Sequence, residues 1–140
     1  MKFQTIYTKL LFIVIGLGIL SLLIDRVPDL EELERNREFV SLYEGTTNVN
    51  LVNLQNCHRL KVLKISNSEI DDDGLPHLQQ APTLKEVYIE GCDNITDIGI
   101  ESLGILTSLE IIKIHGCPNV TEEAIKELQI KLPNCKITKY

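Results

Sequence analysis

The 140-residue sequence has no tryptophan, and aromatic residues make up only 5% of it although 44% is hydrophobic. Any core drawn from such a chain is aliphatic, packed from Leu, Ile and Val instead of rings. Concentrated basic charge is missing too. Fourteen Lys and Arg stand against 20 Asp and Glu, for a formal net charge of −6. Nucleic-acid binding needs a clustered basic footprint, so the balance points away from that partner class. Also missing are a Gly-rich phosphate loop, a nucleophile–base pair and paired carboxylates at catalytic spacing. An enzyme, a bound cofactor and a small-molecule substrate are therefore not expected.

What the chain does contain is repetition. Residues 84–104 read LKEVYIEGCDNITDIGIESLG and residues 109–129 read LEIIKIHGCPNVTEEAIKELQ. Their apolar residues, Gly-Cys pair, Asn and Thr coincide, and a third copy opens at Leu60, so successive copies lie 24 and 25 residues apart. A period of this length headed by L-x-x-L-x-L marks a leucine-rich repeat, a unit that cannot bury its apolar face alone.

The segment before the repeats has a different composition. Residues 10–24 carry no charge, and Ser21 is their only polar side chain. Extended back to Ile6, the run is 19 residues, about 28 Å of helix against a hydrocarbon core of about 30 Å. Residues 1–26 are therefore read as a transmembrane signal anchor, with Lys9 near its end. A cleaved signal peptide is the rival, but the one small-x-small pattern, Gly16-Leu17-Gly18, lies inside the apolar run. The short tail with Lys2 and Lys9 places the amino terminus in the cytoplasm and the repeats on the extracytoplasmic side. Secretion after cleavage and cytoplasmic repeats are the alternatives. Residues 27–39 follow as an acidic helical cap and linker, with Pro28, Asp29, Glu31 and Glu32 suited to a first helical turn.

Within residues 40–140 the clearest strands are 60–65, 84–89 and 109–114, with Leu63, Ile65, Val87, Ile89, Ile112 and Ile114 directed inward. Turns are expected at Asn67-Ser68, Gly91-Cys92 and Gly116-Cys117, and helix caps at Thr96 and Thr121. Convex helices are expected around Leu75/Leu78, Ile100/Leu103 and Ile125/Leu128, each pair three apart. Leu51 and Leu54 match Leu75 and Leu78, which puts a first strand at 40–42, and Ile137 puts a last one near the end of the sequence. The fold class is thus α/β: a short solenoid of about five parallel strands with helices outside, preceded by an N-terminal transmembrane helix. Three outward rows cross the strands: Val62, Glu86, Ile111; Lys64, Tyr88, Lys113; and Ser66, Glu90, His115. The candidate protein-binding residues are Val62, Lys64, Glu86, Tyr88, Glu90, Ile111, Lys113 and His115, with Tyr88 as anchor.

The pattern L-x-x-V-x-I-x-x-C-x-x-I-T-D-x-G-I of residues 84–100 resembles the cysteine-containing leucine-rich repeats of F-box adaptors and short bacterial proteins. The ending LPNCKI resembles the terminal repeat of those bacterial members, and a weaker similarity is to mitochondrial ATP synthase subunit s-like proteins. This resemblance implies binding to another protein. It implies no ubiquitin adaptor role, since no F-box is present, and Ser68 replaces the loop cysteine of one repeat.

Cys92 and Cys117 occupy equivalent positions in adjacent turns, and parallel side chains there read as buried packing thiols more than as a disulfide. His115-x-Cys117 lacks the paired spacing of a zinc site, and alternation sends the two residues to opposite faces. Asp71-Asp72-Asp73 lacks the Gly-punctuated loop of a calcium site and reads as a helix cap. Asn94-Ile-Thr96 and Asn119-Val-Thr121 satisfy the glycosylation rule, but recur because the turn recurs. No metal is expected. The leading function is a membrane-tethered protein-interaction module working through the concave face. The alternative is an assembly or structural factor of a membrane complex.

Overall fold

The computed structural model describes residues 38–140. The apolar span at 6–24 and most of the expected cap, residues 27–37, lie outside them. Among the described residues, no helix is long and apolar enough to cross a membrane.

Each pass of the repeat lays down one strand and returns over the back through a short helical segment. The strands are β1 (Phe39–Leu42), β2 (Val62–Ser66), β3 (Glu86–Glu90), β4 (Ile111–His115) and β5 (Lys136–Lys139). They form one parallel sheet in the order β1-β2-β3-β4-β5, as expected when like segments stack in sequence. The first strand opens at Phe39, one residue earlier than the 24-residue match indicated, and Phe39 pairs with Val62.

Between the strands run α1 (Asn48–Val52), a 3₁₀ turn at Asn53–Asn56, a 3₁₀ helix at Leu75–Gln80, α2 (Asp97–Ser102) with a 3₁₀ turn at Leu103–Ile105, and α3 (Glu122–Lys131). The expected helix around Leu75 and Leu78 is thus 3₁₀ in form. Residues three apart eclipse in a 3₁₀ helix, so both leucines still face inward, and both are fully buried. Pro76 sits in the first turn, where a missing N–H costs least.

Two rows of inward side chains build the core. One runs Val40, Leu63, Val87, Ile112, Ile137; the other runs Leu42, Ile65, Ile89, Ile114, Lys139. The three central rungs of both rows are shut off from solvent. On β5 a lysine stands in the second row, and its Nζ reaches Glu122 Oε1 at 3.2 Å while its stem lies over the rung below. An inward-pointing charge of this kind blunts a sheet edge against further pairing.

The cysteines behave as repeat parts. Cys57, Cys92, Cys117 and Cys135 are all buried. The Cys92 and Cys117 thiols each approach the carbonyl two residues back, at 3.4 and 3.5 Å, and a carbonyl of the preceding strand at 4.0 Å. Ser68 takes the same place in the repeat before and stands 3.6 Å from the Cys92 sulfur. Burial pushes the Cys117 and Cys135 thiols above their ordinary range. No disulfide joins Cys92 to Cys117.

A second ladder runs along the helix starts. Asp72 Oδ1 accepts from the Thr96 and Gly99 N–H groups at 2.7 and 3.0 Å, and its Oδ2 accepts from the Thr96 hydroxyl at 2.6 Å. One repeat on, Asp97 accepts from the Thr121 N–H and hydroxyl at 2.6 and 2.9 Å. One repeat back, the Asn48 side chain exchanges two hydrogen bonds with Asp71. Thr96 and Thr121 also cap their own helices, accepting from Ile98 and Ala124. The acidic run therefore caps a helix, but the one in the following repeat. Both glycosylation-type threonines are spent on these caps, and the Asn119 amide is held by the Asp93 carbonyl at 2.7 Å.

Gly99 is required by this ladder. A Cβ there would stand 2.3 Å from Asp72 Oδ1, in the path of the bond to its own N–H. In the next repeat Ala124 occupies that place, and its N–H turns to the Thr121 hydroxyl instead. Charge-assisted hydrogen bonds of this kind are worth about 1.5–3 kcal/mol each. Asp72→Ala removes three and should lower stability by about 2–4 kcal/mol. Gly99→Ala should cost about 1–3 kcal/mol through the clash. Urea unfolding followed by circular dichroism measures both; a midpoint unmoved by Asp72→Ala refutes the ladder's role.

Candidate functional site

Because strand side chains alternate, every second residue of the five strands is directed away from the helices. The register sorts these into rows. The first is Phe39, Val62, Glu86, Ile111, Lys136, and the second is Ser41, Lys64, Tyr88, Lys113, Thr138. The third joins Ser66, Glu90 and His115, and continuing the register adds Tyr43 and Tyr140 at its ends. All eight candidate residues thus share one concave face. The intended pattern departs at Ser66, which is buried, with a hydroxyl that has no hydrogen-bond partner.

Neighbouring rows hold one another in place. The Tyr88 hydroxyl donates to Glu86 Oε2 at 2.6 Å, and Lys113 Nζ stands 5.3 Å from the centre of the Tyr88 ring, within cation–π range. Lys64 Nζ pairs with Glu90 Oε2 at 3.1 Å. The His115 and Tyr140 rings meet at 5.2 Å with a 48° tilt, and His115 Nδ1 lies 2.9 Å from the main-chain oxygen of Tyr140. These groups surround a shallow depression of about 150 Å³ lined by Lys64, Tyr88, Glu90, Lys113, His115 and Tyr140. Small-molecule sites are commonly about 300–1,000 Å³, so this depression offers a surface to grip more than a cavity to fill.

His115 and Cys117 point to opposite sides, the ring exposed on the concave face and the thiol buried. Among the described residues no group of three His, Cys, Asp or Glu is arranged to hold a metal ion. Sequence reasoning missed the outer members of the face. Phe39, Tyr43 and Tyr140 are large, exposed and aromatic, yet lie on the edge strand β1 or just past β1 and β5, where the repeat motif has decayed. The 23–25-residue offset from Val62, Ser66 and His115 was the signal that could have found them.

The Glu86 hydrogen bond, together with burial, raises the Tyr88 phenol above its ordinary value, because ionisation would set two negative charges side by side. A raised value means the bond's contribution is complete at neutral pH and is lost as pH rises through the folded-state value. In an ultraviolet-monitored alkaline titration Tyr88 should ionise later than an exposed tyrosine, and Glu86→Gln should bring it forward. An unchanged Tyr88 titration in that variant refutes the pairing.

Compared with known proteins, residues 80–104 match the family model described as Leucine Rich repeat. No curated protein matches the chain. That match, over β3, the turn after it and all of α2, joins the five-stranded parallel sheet in supporting a leucine-rich repeat protein, a kind of domain that commonly binds other proteins.

Proposed function

We propose that this chain is a membrane-tethered, non-catalytic interaction module that presents its concave face to another protein. The observation carrying this reading is the continuity of the face: two rows of outward side chains run across all five strands, and Glu90 and His115 extend a third. Their mixture of aromatic, aliphatic and charged groups has the make-up of a recognition patch, where a ring supplies area and flanking charges supply orientation. Tyr88 is already held by Glu86 and Lys113, so binding would cost little side-chain entropy there.

Tethering rests on the sequence alone. The apolar run at 6–24 is long enough to span a bilayer, and Lys2 before it and Lys9 near its start favour an extracytoplasmic repeat domain.

Buried aromatic anchors commonly contribute about 2 kcal/mol or more, roughly thirtyfold in affinity. Tyr88→Ala combined with Lys113→Glu in the full-length tagged chain should therefore strip a partner from an affinity purification; an unchanged partner set refutes the concave-face reading. Protease added to intact cells or spheroplasts should cut the repeats from outside. Repeats that resist until lysis reverse the orientation.

A further inference from the structure

We infer that the β4–β5 end of the concave face grips a carboxylate side chain of an acidic peptide segment in the partner protein, held between Lys113 and Lys136. This deepens the concave-face reading and rests on it.

The first support is the distribution of charge. The chain carries a net charge of −6, yet the β4–β5 part of the face presents Ile111, Lys113, His115, Lys136, Thr138 and Tyr140 without one acidic side chain. The two carboxylates elsewhere on the face are already engaged, Glu86 by the Tyr88 hydroxyl and Glu90 by Lys64. Lys113 rests over a ring, and Lys136 makes no ion pair among the described residues. Two cations thus face outward with no acidic side chain paired to either among the described residues.

The second support is register. Ile111 pairs with Lys136, and Lys113 pairs with Thr138, so the two lysines stand on a diagonal of one four-residue patch. Strands about 4.8 Å apart and a two-residue step of about 6.6 Å put their Cα atoms about 8 Å from each other. Swung off the Tyr88 ring, the flexible four-carbon stem of Lys113 can meet that of Lys136 at the two oxygens of one carboxylate.

Thr138 supplies the third. The residue is only partly buried, but its hydroxyl is shut off from solvent with no hydrogen-bond partner. Rotation about χ1 moves the hydroxyl to another staggered position, and an acceptor bound on the face gives it a partner. Ile111, on the opposite corner, suits an apolar residue beside the acidic one.

The test pans a random peptide display library against the purified full-length chain. Selected peptides should be rich in Asp or Glu next to an apolar residue. Replacing that acid by its amide, or making the Lys113→Gln/Lys136→Gln double variant, should each weaken binding about tenfold or more, and added salt should weaken it further. Thr138→Val should weaken it about threefold, the loss of one modest hydrogen bond. Circular dichroism checks that the variants remain folded. Peptides that require Tyr88 but carry no acidic excess, or that ignore the double variant, overturn this inference and leave the concave-face reading standing. Peptides indifferent to every concave substitution overturn both. Lysine-dependent sedimentation with phosphatidylserine vesicles, alongside peptide binding that ignores the lysines, overturns it in favour of a lipid surface.

Discussion

No repeat in this protein can satisfy itself. A single strand with its return segment leaves one side of its aliphatic rung bare, one edge of its backbone unpaired and the N–H groups of its helix start without acceptors. The neighbouring repeat supplies all three. Ile65, Ile89 and Ile114 close over one another, Lys61 and Lys85 carbonyls each accept two N–H groups from the next strand, and Asp72 and Asp97 reach forward to cap the following helix. Burial supplies most of the drive, and the carboxylates set the register in which it is delivered. The reach is limited: Gly99 is kept bare so that Asp72 can pass, and at Ala124 the bond is given up.

That dependence frees one face. Inward positions are committed to packing, the turn positions to the Gly-Cys ladder and the helix starts to capping, which leaves the concave rows to vary. Here they carry aromatics at Phe39 and Tyr43, acids at Glu86 and Glu90, and bases toward Lys113 and Lys136. Because the strands beneath are held on both sides through the middle of the sheet, these groups are offered in a nearly fixed arrangement. A rigid, graded surface suits selection of a partner by charge and shape, which is what the proposed role requires.

Much of this was legible in the residues. The spacing from Leu60 to Leu84 to Leu109 located three strands, alternation told inward from outward, and Thr96 and Thr121 announced their helices. The weaker edges followed from Leu51 and from Ile137. Less legible was anything settled between repeats. Asp72 reads in isolation as one acid of a run, since its three donors lie 24 to 27 residues away. Ser66 occupies an outward position and is nevertheless covered. The segment at Leu75–Gln80 carries a helical spacing that a 3₁₀ turn satisfies as well as an α-helix would.

By itself, then, the sequence determined the stack: a period of 24 or 25 residues with matched apolar positions admits one economical way to hide them, strand on strand. Tertiary structure alone decided which carboxylate caps which helix, that Lys113 lies over the Tyr88 ring, and that Ser66 is covered. Periodicity records where a side chain points. Contacts between repeats depend on how far each turn shifts and twists against the last, and that offset is set only when the whole spine packs.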